Sequence, residues 1–163
     1  MSIPSFTRSK RIDPLDSKAL QLLMRDGRAT WAELGQRLGL SAPSAADHVH
    51  KLEQRGIISG YAALVDAASV GYPLIAYVSV SLASHRDRAA FLRGIEKMEQ
   101  VSECHHVSGD DDYLLKVRCR GTLDLDHLLA KELKDKLGVA RTRTTIVLST
   151  AKESVGVPVA PED

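Results

Sequence analysis

The chain has 163 residues, 44% of them hydrophobic and 26% charged, a balance that excludes disorder over its whole length. Its formal net charge is +1, so no polybasic or polyacidic character dominates the whole. Residues 1–60 carry 9 basic and 6 acidic side chains and residues 61–163 carry 13 and 15, which suggests a basic front module and an acidic back module with different partners. Two cysteines, Cys104 and Cys119, exclude a disulfide scaffold and favour a reducing, cytoplasmic setting. No signal peptide is expected at Met1–Arg11, which lacks an apolar run. The uncharged stretch Ala67–Ser84 is broken by Gly71 and Pro73 and alternates like a strand, so no membrane span is expected.

Residues 1–12 read as a flexible arm. Asp13 is a good N-cap with Pro14 at the first helical position, and Leu15, Ala19, Leu22 and Leu23 follow at helical spacing up to Gly27. Thr30-Trp-Ala-Glu33 is a capping box opening a second helix with Trp31, Leu34 and Leu38 on its apolar side; Trp31 is expected in the core. Ser41 caps a third helix that stops at Gly56. At about 100° per residue from Ser44, the residues Leu52, Ala45 and Val49 cluster near 80–140° as a core stripe. Ser44, His48, Lys51 and Arg55 cluster within about 40° of the origin as a polar, basic stripe.

Residues 13–61 thus form a first module, and 62–73 read as a linker. The alternation of Leu74, Ala76, Val78, Val80 and Leu82 predicts a strand. A helix capped by Ser84 and bearing Ala89, Leu92 and Ile95 follows, then a strand over Val101–Val107, a turn at Ser108–Asp111 and a strand over Asp112–Arg120. A Thr122-capped helix with Leu125, Leu128, Leu129 and Leu133 ends at Gly138. Arg141–Thr150 is the last strand, and 151–163 is a loose tail. The fold class is α+β: an N-terminal helix-turn-helix followed, over 74–150, by a ferredoxin-like βαββαβ module. Two helices cover one sheet face only, so a second copy of the chain is expected on the other, giving a homodimer.

Three short helices around a glycine-containing turn suit DNA, with the third helix in the major groove. Ser41 and Ser44 would donate to phosphates or base edges, Lys51 and Arg55 would reach phosphate or guanine, and Thr30 with its helix amides would hold a phosphate. Such stripes also occur as plain solvated helix faces. In the back module, His105 and His106 are neighbours on a strand and point to opposite faces, so they cannot share a metal. If Val107 pairs with Asp112, Cys104 lies opposite Leu115 and well away from Cys119, so no bridge forms. No catalytic residue, cofactor or metal site is expected.

The ordered set Ile12-Asp-Pro-Leu-Asp16, Asp26-Gly-Arg-Ala-Thr30, Leu38-Gly-Leu-Ser41, Val49-His-Lys-Leu-Glu53, Gly56-Ile-Ile58, Gly60-Tyr61, Val107-Ser-Gly-Asp110, Asp112-Tyr-Leu-Leu115 and Thr144–Leu148 with Lys152 resembles the Lrp/AsnC family of bacterial and archaeal feast/famine regulators, over about residues 12–152. The resemblance implies a winged or plain helix-turn-helix module that binds double-stranded DNA and a back (RAM) module that senses a small effector, mostly an amino acid. It also implies dimers that assemble into tetramers or octamers, and a cytoplasmic, nucleoid-associated location. Carried over, the effector loop is Ser108, Gly109, Asp110 and Asp112, with a carboxylate to pair an amino-acid ammonium. Asp111 has the plainer role of a solvated turn residue. Where the family usually has arginine this chain has His48, which cannot form the same bidentate fork. Two other functions fit the architecture: a sirohaem-decarboxylase-like enzyme, whose Arg-, Asn- and Trp-rich stretches are missing here, and an effector-independent architectural DNA binder.

Overall fold

The computed structural model describes residues 10–84, 87–154 and 156–160. The chain divides into two compact units, residues 1–63 with 153–163, and residues 64–152. Most of the predicted arm, residues 1–9, lies outside the described residues.

The first unit is three helices. In α1 (Pro14–Arg25), the Asp13 carboxylate accepts from the Asp16 amide (2.7 Å) while the Asp16 carboxylate accepts from the Asp13 amide (3.3 Å). This acidic capping box satisfies donors that a helix start leaves open. The Thr30–Glu33 box starts α2 (Trp31–Leu38) as the sequence predicts, and Gly39 ends it with φ +74°. Ser41 caps α3 (Ala42–Gln54). The turn between these helices is tight because Gly35 permits it: a Cβ there would lie 2.8 Å from the Leu40 carbonyl oxygen and 3.2 Å from the Ala42 nitrogen, both backbone atoms that cannot move aside. The core stripe holds, with Ala45, Val49 and Leu52 fully buried against Ala19, Leu20, Leu34 and Leu38.

Two expectations for this unit fail. Trp31, expected in the core, is 41% exposed, because the first residue of α2 lies beyond the edge of the packed stripe. Within the tail read as loose, Val159 is held: its carbonyl accepts from Ser17 Oγ (3.2 Å) and Gln21 Nε2 (3.1 Å), and its side chain packs against the core. These bonds satisfy the Ser17 hydroxyl, whose residue is only 3% exposed.

The second unit is an antiparallel sheet in the order β2-β3-β1-β4, formed by β1 (Leu74–Leu82), β2 (Val101–His106), β3 (Tyr113–Cys119) and β4 (Val139–Ile146). The helices are α4 (Arg88–Ile95) and α5 (Thr122–His127), the latter continuing in wider π-helical turns over Leu128–Lys136. Ala76, Val78 and Val80 of β1 and Tyr113, Leu115, Val117 and Cys119 of β3 meet Phe91, Ile95, Leu125, Leu128 and Leu133 in one core. Cys104 pairs with Leu115, as the predicted hairpin register requires. The buried face of α4 is Phe91 and Ile95, whereas Ala89, expected inward, is exposed. That helix begins at Arg88 with Asp87 at its N-cap, the Ser84 carbonyl accepts from the Asp87 amide, and residues 85–86 lie outside the described residues. Gly121, not Thr122, takes the N-cap of α5, and β4 starts two residues earlier than predicted, at Val139. Asp66–Pro73, read as linker, includes an ordered turn in which the Asp66 carboxylate accepts from the Ala68 and Ser69 amides.

Candidate nucleic-acid interface and effector loop

The outward face of α3 is set by what its inward face touches. Ser44 and Lys51 are exposed, as predicted. His48 and Arg55, placed by the sequence on the same outward stripe, turn instead toward α1. His48 Nε2 lies 2.9 Å from Asp16 Oδ1, and Arg55 Nη1 donates to Asp16 Oδ2 at 2.9 Å. The other Arg55 nitrogen bonds the Arg11 carbonyl. Asp16 is 3% exposed, and a buried carboxylate must be paired. The His48 contact has the distance of an ion pair but not the angle of a hydrogen bond, since Nε2 is buried without a directed partner. Asp13, Asp16 and His48 bring three potential metal-ligand atoms within 4.8 Å of one another. Both carboxylates are already committed, to the capping box and to Arg55, so the cluster is best understood as the joint between α1 and α3.

The predicted phosphate contacts at the helix starts are partly spoken for. The Thr30 amide and then Thr30 Oγ1 donate to Glu33 Oε2 (2.8 Å each) and hold the Glu33 carboxyl below its ordinary pKa, while Thr30 Oγ1 accepts from the Glu33 amide (3.3 Å). The helix still leaves the Trp31 and Ala32 amides without intrahelical acceptors. Ser41 Oγ accepts from the Ser44 amide (3.3 Å) and lies 2.8 Å from Ser44 Oγ. Beside Thr30 a groove of about 470 Å³ is lined by Leu23, Arg28, Trp31, Glu53 and Tyr61 among others. There the Tyr61 hydroxyl donates to Glu53 (2.9 Å), and burial, with the Glu53 carboxylate beside it, pushes the Tyr61 pKa up to about 12.

In the second unit, Ser108, Gly109 and Asp110 form an exposed loop tip, Gly109 having φ +118°. Asp112 does not sit with them. Its Oδ2 accepts from the Leu82 amide (2.8 Å) and its own amide donates to the Val80 carbonyl (2.8 Å), so it fastens the loop to β1. Asp111, read as a solvated turn residue, is a tether. Its carboxylate accepts from Ser81 Oγ (3.0 Å), Arg141 (3.2 Å) and Arg143 (2.8 Å), and its side chain is 8% exposed. The signal for it was the alternation of Arg141 and Arg143, which places both on the face of β4 that pairs with Ser79 and Ser81. Tyr113, the first residue of β3, is buried on Phe91 (4.9 Å between ring centroids), and among the described residues its hydroxyl has no hydrogen-bond partner.

The Ser81 hydroxyl, and then the charges of Arg143 and Arg141, hold the Asp111 carboxyl below the usual aspartate range. A depressed folded pKa means stability that is present above the unfolded value and lost as pH falls through the folded one. The difference in urea midpoint between wild type and Asp111→Asn is therefore expected to be full above about pH 5 and to shrink below about pH 4. A constant difference from pH 3 to 7 contradicts the tether.

Both units match family models: residues 12–59 the winged helix-turn-helix DNA-binding model, and residues 75–157 the Lrp/AsnC ligand binding domain. Among the described residues the first unit shows helices and no strand. The chain is 36% identical over 151 residues to the leucine-responsive regulatory protein of Escherichia coli K12, covering 89% of this chain and 90% of that protein. It is 35% identical over 149 residues to the Haemophilus influenzae protein of the same name, covering 90% of each. Among solved structures, a transcriptional regulator from Neisseria meningitidis in complex with L-Met has a TM-score of 0.86 at 31% identity, covering 90% of this chain and 96% of that one. The AsnC structure from E. coli has a TM-score of 0.83 at 30% identity, covering 91% and 100%. With both units matched in order and relatives above 30% identity along nearly the whole length, the chain belongs to the Lrp/AsnC family of transcriptional regulators.

Proposed function

We propose that this protein is a sequence-specific DNA-binding transcriptional regulator whose DNA affinity or assembly is set by a small amino acid. The observation that carries the DNA half is the exposed side of α3, which presents Ser41 and Ser44 at its start and Lys51 in its last turn while its opposite face is locked in the core. The amides at the start of α2, next to Thr30, supply a phosphate contact. His48 and Arg55 serve DNA indirectly by fixing α3 on Asp16. On the second unit, Ser108, Gly109 and Asp110 offer a main chain and a carboxylate to an amino-acid effector, and Asp112 shapes the loop. The Neisseria regulator and a feast or famine regulatory protein from Mycobacterium tuberculosis were each solved with L-methionine, which makes that the first ligand to try.

The open sheet face carries Ile75, Tyr77 and Leu114, rimmed by Glu103, Lys116, Arg118, Arg141 and Arg143. An apolar centre with a charged rim supports a second copy of the chain as its cover. Such a dimer offers two recognition helices to half-sites about 34 Å apart. Both matched domains are regulator parts, which supports a regulator rather than an enzyme, acting in the cytoplasm at the nucleoid. No helix among the described residues is long and apolar enough to cross a membrane.

The test is fluorescence anisotropy with DNA from upstream of the protein's own gene and a scrambled duplex, at two salt concentrations. Tighter binding to the native duplex is expected. Lys51→Ala should weaken binding to both and flatten the salt slope by about one. L-Methionine and L-leucine should shift the affinity by roughly 5–150-fold. Equal binding to both duplexes points to an architectural protein. Indifference to every amino acid removes the effector half.

A further inference from the structure

We infer that Asp47 and His50, not the basic stripe of α3, carry the base discrimination of this protein, with Trp31 positioning His50. The inference rests on the DNA-binding function proposed above and deepens it.

The face of a recognition helix that enters the groove is the one opposite its core stripe. Ala45, Val49 and Leu52 centre that stripe near 107°, so the opposite direction is near 287°. Pro43, Asp47, His50 and Gln54 fall at about 260°, 300°, 240° and 280°, and all four are exposed. Lys51 and Ser44 flank them on one side. His48 and Arg55, at about 40° and 20°, are drawn to Asp16 on α1. The pull of one buried carboxylate thus fixes which side of α3 faces α1 and leaves the Asp47 side facing out.

The chemistry of that side is selective. Asp47 lies in the first half of α3, the part of a recognition helix that meets base edges. A carboxylate there accepts from the exocyclic amine of cytosine. Against the acceptor edge of guanine or the phosphate backbone it is repelled, so it penalises wrong sites as well as rewarding right ones. His50 is one turn further on. The Trp31 ring meets it edge-on, with centroids 5.6 Å apart and planes at 73°. That contact restricts the imidazole to one side of the helix and explains a use for a tryptophan left 41% exposed at the start of α2.

The experiment is selection from a randomised duplex library with the full-length wild type, Asp47→Ala, Asp47→Asn, His50→Ala, Trp31→Ala and His48→Ala. The wild type is expected to enrich cytosine at one position per half-site. Asp47→Ala should lose that enrichment by about 10-fold and bind an unrelated duplex about 3-fold more tightly. Asp47→Asn should move the preference to adenine, which asparagine reads through N6 and N7. His50→Ala should flatten the preference at an adjacent position, and Trp31→Ala should partly reproduce that profile, whereas a purely structural Trp31 would lower overall affinity without changing base preference. His48→Ala should lower affinity and keep the wild-type profile. If the wild type selects a motif and both Asp47 variants return the same one, the inference is wrong and the DNA-binding function stands. If the wild type selects no motif, both fall.

Discussion

Replacing Asp16 by alanine is expected to unfold or loosen the first unit more than any other single polar substitution in it. The carboxylate is 3% exposed and serves three groups: the Asp13 amide, His48 and Arg55. Removing one partner of a buried pair costs about 3–5 kcal/mol, and the 39% exposure of the Arg55 side chain, which lets water take over part of the role, lowers this to about 2–4 kcal/mol. Trp31 is the only tryptophan in the chain and sits in this unit, so its fluorescence during urea unfolding reports the loss directly. Asp16→Asn should lose less, because its amide oxygen can still accept from Arg55. DNA affinity should fall with stability, since α3 loses the contact that fixes its rotation. An Asp16→Ala protein with an unchanged urea midpoint would mean that the joint between α1 and α3 is made elsewhere.

That joint also marks where the sequence stopped being legible. Local devices were readable. Thr30 and Glu33 announce a helix start within four residues, and Ala45, Val49 and Leu52 announce a buried stripe by spacing alone. The pairing of Val107 with Asp112 followed from turn chemistry and fixed the register of Cys104 against Leu115. What could not be read was the partner of a polar group. His48 and Arg55 fall on the polar side of a helical wheel, yet each is tied to an aspartate more than 30 positions away. The same blindness hid the bonds that Asp111 and Asp112 both make to the sheet. Three consecutive aspartates look alike, and only the meeting of β1 with β4 decides that Asp111 faces two arginines while Asp112 bonds the Leu82 amide. Val159 bonds α1 from 142 and 138 positions away, a distance no local pattern signals.

The second large effect concerns assembly. Strand pairing puts Tyr77 on the same face as Lys116 of β3 and Thr145 of β4, away from α4 and α5, and it is 38% exposed in the single chain. It stands near the centre of a face whose apolar members are Ile75 and Leu114 beside it. In a two-fold dimer through this face, Tyr77→Glu introduces two carboxylates, one from each copy. Each leaves water at the centre of the patch, where the cross-strand Lys116, already bonded to Glu103, offsets the cost only in part; the balance of about 1–3 kcal/mol weighs against a dimer held by one modest apolar patch. The expected result in sedimentation at micromolar concentration is a shift from at least twice the mass of one chain to a single chain, with the far-ultraviolet circular dichroism unchanged because the side chain is not in the core. Tyr77→Phe should remain assembled. DNA binding should weaken in the Tyr77→Glu protein even though every residue of the first unit is untouched, because a monomer offers one recognition helix where a dimer offers two at fixed spacing. If Tyr77→Glu keeps the wild-type mass, the open face of the sheet is not where the copies meet, and another surface must hold the two DNA-reading units together.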